Sequence, residues 1–134
     1  MNEDAVKNWI LKAESDLKIG RDELTTEKPA TDAVCFHMQQ CTEKYIKSFL
    51  IFHGKEIHKT HNIAEIIREC TEIELEFQQL FNWDVDKLTD YAVDIRYGED
   101  FYFPPIEETK EAVKIAEKVK EFVSNKLKGM GFEL

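Results

Sequence analysis

Four polar side chains lie along a single face of a predicted helix in the stretch CFHMQQCTEKYIKSFLIFHG, residues 35–54. They are His37, Gln40, Lys44 and Lys47, separated by steps of three, four and three residues, which is the spacing of one helix face. Glu43 lies one position aside and can pair with Lys47 at i,i+4. An imidazole, an amide and two ammonium groups could hold a phosphate or nucleotide. The alternative, which spacing alone favours, is a solvated or dimer-facing edge.

A second candidate site is the loop sequence DIRYGEDFYFPP near residue 100. Its arginine is followed within seven residues by four aromatic side chains: Arg96, then Tyr97, Phe101, Tyr102 and Phe103. A guanidinium beside flat rings can stack on a base and form a bidentate contact with a phosphate. The alternative is that the aromatic rings cap the end of a helix bundle.

The remaining candidate groups favour structural roles. His53, His58 and His61 are too loosely spaced for a typical zinc site, so we predict no metal and no cofactor. We expect His61 to bond backbone at the start of the next helix. Glu107 and Glu108 suit the first turn of the last helix, where the dipole favours acids, better than acid–base chemistry.

Composition restricts the class of protein. The chain has 134 residues, 43% apolar and 34% charged, with a net charge of −9, which suits one domain spanning 1–134 and makes DNA binding unlikely on electrostatic grounds. The start resembles no signal peptide and no apolar run reaches membrane length, so we expect a cytoplasmic protein without a membrane anchor. The cysteines at 35, 41 and 70 are predicted to be reduced, buried thiols.

The apolar spacing predicts an all-α fold, an up-and-down bundle of four long helices plus one shorter helix. The first helix covers 3–24, and the second is capped by Thr31 or Asp32 and stops before Gly54. The other predicted helices cover 62–80, with Thr60 or Asn62 as its opening residue, 84–95, and 106–129. Residues 129–134 are predicted to form a loose tail.

Four blocks of sequence resemble the HEPN domain family in order and spacing: WILKAESDL (9–17), CFHMQQCTEKYIKSFLIFHG (35–54), KTHNIAEII (59–67) and LTDYAVDIRYGED (88–100). The resemblance implies a small all-α bundle that pairs as a homodimer. It also implies a minimal nucleotidyltransferase as partner in a toxin–antitoxin pair, and a nucleotide or RNA ligand. Many such proteins are metal-independent RNases that use an Arg followed four to six residues later by a His, at the dimer interface.

This sequence departs from that RNase motif. Arg96 matches the family's Arg, but no His occurs among residues 97–103. We therefore expect a ligand-binding partner with a degenerate RNase motif, in which Arg96 is catalytic only if activity remains. The resemblance implies a ligand site built from these residues: Arg96, Tyr97, Tyr102, His37, Gln40, Glu43, Lys44, Lys47 and His61.

Three alternatives concern activity and modification. The protein could be an active, metal-independent RNase toxin, in which case Arg96→Ala abolishes cleavage. It could be a purely structural dimeric interaction module, in which the polar face of the second helix is interface. Within a pair of the family's type, Tyr97 or Tyr102 could also receive a nucleotide from the nucleotidyltransferase.

Overall fold

Helices account for all the regular secondary structure in the part of the chain that the computed structural model describes, residues 2–92 and 101–133. The helices are α1 (Glu3–Leu24), α2 (Thr31–Phe52), α3 (Ile63–Ile73), α4 (Gln79–Asn82) and α5 (Ile106–Gly129), with 3-10 segments at Leu75–Gln78 and Val85–Tyr91. The predicted all-α class is confirmed. None of these helices is long and apolar enough to cross a bilayer.

α2 is the central helix, and its neighbours run in opposite directions beside it. α1 is antiparallel to α2, since Asn2 donates to the carbonyl of Ile51 at 3.3 Å while Asp16 reaches His37. Where the end of α1 meets the start of α2, the side chain of Met38 fills the space where Gly20 lacks a Cβ, so the two helices approach closely.

α5 runs parallel to α2. The thiol of Cys35, near the start of α2, lies 3.7 Å from the hydroxyl of Thr109 in the first turns of α5. At the opposite end, Phe52 meets Phe132 edge-on at 6.0 Å between ring centroids. α1 and α5 therefore both pack along the same central helix, which is how α2 comes to have fourteen buried positions.

The helix predicted over 62–80 is divided in the structure. α3 ends at Ile73, Glu74 is extended with φ −139° and ψ 107°, and a 3-10 segment and α4 follow. Lys126 of α5 contacts Glu74 at 2.9 Å and Glu76 at 3.0 Å, which holds the break in place. After the break, Phe77 packs in the core, and its ring centroid lies 4.4 Å from that of Phe49.

The helix ends agree with the predictions in part. Asn62 caps α3 by accepting the backbone N–H of Glu65 at 3.3 Å, as predicted. The prediction that Thr31 or Asp32 caps α2 is wrong. The N-cap position is Ala30, whose backbone N–H donates to the carboxylate of Glu23 at 2.9 Å.

Both long helices that precede a glycine end in the same way. After α2, Gly54 has φ +74° and donates to Ile51, while Lys55 donates to Leu50. After α5, Gly131 has φ +89° and donates to Lys128, and Phe132 donates to Leu127. These are Schellman motifs, which need the left-handed conformation that glycine adopts readily.

The C-terminal tail was predicted to be loose, but it is fixed against the bundle as far as Phe132. The Schellman motif fixes its backbone, and the Phe132 side chain is 5% exposed and packs against Phe52. The sequence indicated a loose tail after Gly129 because chain ends are commonly poorly ordered. In the structure Gly129 is the last residue of α5, and Gly131 turns the chain so that Phe132 packs back onto the bundle.

The core also contains the three cysteines. Cys35, Cys41 and Cys70 are buried, free thiols, as predicted. Burial raises the pKa of each thiol above its ordinary value. Cys70 donates weakly to the carbonyl of Ile46 at 3.7 Å, so it joins α3 to α2 as a small core side chain.

Candidate functional site on helix α2

The polar face of α2 does not point into open solvent, because a carboxylate of α1 packs against it. Asp16 is buried and binds two residues of α2. Its Oδ1 lies 2.8 Å from Nδ1 of His37, and its Oδ2 accepts from Nζ of Lys44 at 2.6 Å. His37 and Lys44 are two helical turns apart, so one carboxylate between them reaches both.

A second buried carboxylate, Glu43, organises the other half of the α2 polar face. Oε1 of Glu43 accepts from the side-chain amide of Gln39 at 2.9 Å and lies 2.9 Å from Nδ1 of His61. Oε2 accepts from Lys47 at 3.0 Å, so the predicted i,i+4 pair is confirmed. Gln40 joins the cluster by donating to Gln39 at 2.7 Å.

Lys47 ties this cluster to the chain on either side of it. Besides Glu43, its ammonium group donates to the carbonyl of Thr60 at 3.1 Å. It also lies 5.9 Å from the ring centroid of Trp9 on α1. The prediction that His61 bonds to backbone is wrong, because its ring contacts the side chain of Glu43. The carbonyl of the preceding residue, Thr60, accepts from Lys47, so this part of the chain lies against α2.

The two clusters change the electrostatic interpretation of the α2 face. Lys44 and Lys47 were predicted as phosphate ligands, but each ammonium group faces a buried carboxylate within 3.0 Å. A buried carboxylate of this kind needs its cationic partner, since an uncompensated buried charge is costly. The lysines thus stabilise Asp16 and Glu43, and little of their charge is available to a ligand.

Sequence reasoning missed Asp16. Its position in the sequence could have indicated that it is buried. Ala13, Asp16 and Gly20 are separated by three and four residues and lie on the face of α1 that packs against α2. A carboxylate in a register of small and apolar residues indicates a buried charge with a partner on the facing helix.

Tyr102 lies at a different place, at the start of α5. Its hydroxyl donates to Oε1 of Glu108 at 2.5 Å, and the hydroxyl of Tyr91 donates to Oε2 of the same carboxylate. The bond to Glu108 raises the pKa of Tyr102. Burial, together with Glu108, raises the pKa of Tyr91. Glu108 stands in the first turn of α5 as predicted, but its carboxylate serves the two tyrosines.

Three aromatic side chains beside Tyr91 and α5 are exposed to solvent. Phe101, Tyr102 and Phe103 are each more than half exposed. They therefore do not cap the bundle by burial. Arg96 and Tyr97, the other members of the predicted loop site, and the end of the helix predicted over 84–95 lie outside the described residues. The described part of that helix is the 3-10 segment Val85–Tyr91.

One cavity borders the α2 polar face. It has a volume of about 390 Å³ and lies between the end of α1 and the start of α2. Its walls are mostly small, apolar or acidic side chains, from Ile19, Asp22, Glu23, Thr26, Ala30, Ala33, Val34 and His37. Within residues 2–92 and 101–133, no three His, Cys, Asp or Glu side chains converge as a metal site would require.

The described helices form a small all-α bundle around the central α2. The sequence model of the HEPN domain matches residues 6–127, and the chain belongs to that family. It is 32% identical over 136 aligned residues to the protein named "Putative toxin MJ1304" of Methanocaldococcus jannaschii, covering 91% of this chain and 88% of that protein.

A solved structure shares the fold. The crystal structure of ST0689, an archaeal HEPN homologue, superposes with a TM-score of 0.68 and covers 91% of this chain and 97% of its own. The two sequences are 22% identical over the match. At that level the comparison supports the arrangement of helices, and the roles of individual residues rest on the contacts described above.

Proposed function

We propose that this HEPN protein binds a nucleotide or RNA and is the partner of a minimal nucleotidyltransferase in a toxin–antitoxin-like pair. The observation that carries the proposal is the match to a protein named a toxin over nearly the whole of both chains. Arg96 stands where the family's RNase motif begins, and the absence of His from residues 97–103 favours binding over cleavage by that motif.

Within this proposal, the contacts of the α2 face favour ligand roles that differ from those suggested by residue spacing. Because Asp16 and Glu43 neutralise Lys44 and Lys47, phosphate recognition falls to Arg96. The exposed rings of Phe101, Tyr102 and Phe103 supply stacking surfaces for a base. His37, Gln40, Glu43 and His61 then form the wall beside the ligand, held rigid by the two buried carboxylates.

The binding proposal is tested with a fluorescein-labelled single-stranded RNA, by fluorescence anisotropy at low and at moderate salt. We expect Arg96→Ala to weaken binding about tenfold or more and to reduce its salt dependence, since one phosphate contact is lost. Arg68→Ala is the matched control, because Arg68 is an exposed arginine on α3 that faces the ring of Phe81. Equal affinity in the Arg96 and Arg68 variants would contradict the proposed site.

We propose that the working form is a homodimer and that the nucleotidyltransferase docks through a basic surface, which the net charge of −9 favours. Light scattering of the purified chain tests the dimer. A monomer at micromolar concentration would count against it. Intact mass after co-expression with the nucleotidyltransferase tests transfer of nucleotide to Tyr97 or Tyr102, and an unchanged mass would exclude that transfer.

A metal-independent RNase is the second candidate, favoured by the relative named a toxin. Tyr102 is a poor substitute for the missing His, because Glu108 raises its pKa further from neutrality. Incubation of RNA with wild type and Arg96→Ala, in the presence of a chelator, distinguishes the candidates. Cleavage that disappears in the variant supports the RNase, and intact RNA with both proteins supports the binding protein.

A further inference from the structure

The cavity between the end of α1 and the start of α2 has the size and the mixed lining of a small-molecule site. Its volume of about 390 Å³ falls within the range of about 300–1,000 Å³ that ligand pockets occupy. Its apolar wall includes Val34, which is buried, and Ile19, which is about half exposed. Ala30 and Ala33 contribute only short side chains to the lining. The hydrocarbon part of a small ligand can therefore be covered here.

Glu23 places a carboxylate both in this cavity and at the N-terminus of α2. Its Oε2 accepts the backbone N–H of Ala30 at 2.9 Å and lies 3.3 Å from the hydroxyl of Thr26. Both contacts use the same oxygen, so Oε1 remains to accept from a donor in the cavity. The end of α2 that would otherwise attract an anion already carries a negative charge. An anionic ligand would be repelled here, whereas a cation would be attracted.

Two further polar side chains of the lining also offer acceptors. The hydroxyl of Thr26 donates its one proton to the carbonyl of Glu23 at 2.7 Å, so the oxygen keeps lone pairs for a ligand. Nδ1 of His37 lies 2.8 Å from Oδ1 of Asp16, so a neutral ring carries its proton there and has its lone pair on Nε2. The lining therefore matches a ligand group that donates several hydrogen bonds.

Asp22 supplies a second carboxylate, and its present partner is easily displaced. The pair that Asp22 forms with Lys18 at 2.5 Å is exposed on both sides, so solvent screens it and an incoming ammonium group can compete with Lys18. The adjacent Arg21 pairs with Glu117 of α5 at 2.5 Å, which directs its charge across the bundle. The cavity thus keeps a negative potential that a cationic ligand can use.

We propose that this cavity binds a small organic cation, a primary amine on a hydrocarbon body. Its ammonium group is bound by the carboxylates of Glu23 and Asp22, and its body packs against the apolar wall. An ammonium group has three donors and no acceptor, which matches the lining. A bare metal ion does not fit, because no three His, Cys, Asp or Glu side chains of the described residues converge on one point. The site shares only His37 with the ligand wall proposed above, and it does not depend on RNA.

The experiment titrates the full chain with three probes that share one body and differ in charge: hexylamine, hexanol and hexanoate. Binding is followed by changes in the amide resonances of the isotope-labelled protein. We expect hexylamine to bind with a dissociation constant of about 1 mM or less and to shift amides within residues 19–37. Hexanoate is expected to bind at least about tenfold more weakly, because the carboxylates repel it. Hexanol should fall between the two.

A further probe distinguishes a free amine from a lysine side chain of another protein. Acetyl-lysine methylamide carries the same ammonium group on a body that ends in two polar amides. We expect it to bind at least about fivefold more weakly than hexylamine, because the apolar wall offers its amides no partner. Equal or tighter binding of the lysine derivative would overturn the assignment to a free amine.

Two variants test the carboxylate and the space separately. Glu23→Gln keeps an oxygen for the N–H of Ala30 but removes the charge, and it should weaken hexylamine binding at least about tenfold. Glu27→Gln is the matched control, since Glu27 is an exposed carboxylate in the loop after α1 that does not line the cavity. Ala33→Leu fills the cavity at an exposed helical position, so it should weaken hexylamine and hexanol alike.

Each outcome supports the cation site or overturns it. Hexylamine that shifts no amide within residues 19–37 overturns it, and so does equal affinity for hexylamine and hexanoate. Wild-type affinity in both Glu23→Gln and Ala33→Leu would also overturn it, because neither the charge nor the space would then matter. Since the probes contain no nucleotide, none of these results bears on the RNA binding proposed above.

Discussion

Asp16 and Lys44 form an ion pair with 2.6 Å between Oδ2 and Nζ, and both side chains are largely shielded from solvent. They lie on different helices and 28 positions apart in the sequence. Because Asp16 also binds His37, it is the main polar link between α1 and α2. Its contribution to folding is therefore tied to that helix pair, and this can be measured.

Asp16→Asn is expected to lower the free energy of unfolding by about 2–4 kcal/mol, because it leaves the ammonium group of Lys44 shielded and without its countercharge. Urea denaturation measures the loss. Asp22→Asn is the control, since its pair with Lys18 is exposed on both sides and should change the free energy of unfolding much less. Similar losses in the two variants would show that the Asp16 pair is no stronger than a surface pair.

Glu43 and Lys47 are expected to be strongly coupled. Glu43→Gln leaves the ammonium group of Lys47 without its countercharge, and Lys47→Met leaves Glu43 with Gln39 and His61 but without that ammonium group, whereas the double change removes both charges. A double-mutant cycle should therefore give a coupling free energy of about 1.5 kcal/mol or more, measured from urea unfolding. A coupling energy near zero would mean that water compensates the stranded group and that the pair is effectively solvated.

Glu108→Gln is expected to lower the pKa of Tyr91 and Tyr102 toward the ordinary phenol value, because the negative charge beside both hydroxyl groups is removed. Alkaline titration of phenol absorbance measures the change. Glu107→Gln is the control: Glu107 is the neighbouring, exposed first-turn acid, 3.8 Å from Lys110. Unchanged phenol titration in Glu108→Gln would mean that the two bonds do not persist in solution.

The same tyrosines make the fold sensitive to alkali. Burial and Glu108 raise the pKa of Tyr91 in the folded chain above the unfolded value of about 10. Its contribution is thus fully present below about pH 10 and is lost as pH rises through the folded pKa. Glu108→Gln should show a shallower loss of stability at alkaline pH than wild type does.

His53 makes the fold sensitive to acid. Its ring lies 4.5 Å from Phe49 and 5.3 Å from Phe52 between centroids, and burial, with a smaller effect of Lys55, lowers its pKa. A lowered pKa means that the unfolded chain binds the proton more readily. The stabilisation is present above about pH 6.5 and is lost as pH falls through the folded pKa.

His53→Phe should therefore lose less stability than wild type between about pH 7 and pH 5. Urea unfolding at several pH values in that range measures the two slopes. Identical slopes in wild type and His53→Phe would assign the acid sensitivity to other groups.

The three long helices could be predicted from the sequence because each has one apolar face of regular spacing and a clear glycine or proline boundary. The break at Glu74 could not be predicted from the sequence, because Cys70, Ile73 and Phe77 continue the apolar spacing of three and four residues that is typical of a helix. The contacts made at the break are all long-range: Lys126 of α5, 52 positions away, pairs with Glu74, and Phe77 packs against Phe49.

The contacts of the candidate site also fall into those that the sequence could predict and those that it could not. The pairing of Glu43 with Lys47 is local, so the i,i+4 rule finds it. The pairing of Asp16 with His37, and of His61 with Glu43, depends on which helix faces meet, which lies beyond any local pattern. For that reason neither the solvated or dimer-facing edge that spacing favoured nor the ligand face that the resemblance implied anticipated the two buried carboxylates and their partners.

Tyr91 and Tyr102 stand on either side of residues 93–100, and Glu108, outside that stretch, accepts a hydrogen bond from each. The anchors of the stretch are thus encoded elsewhere in the chain. Glu108 therefore brings the residues on either side of that stretch to a single carboxylate, and the distance that the stretch has to span is set from the first turn of α5.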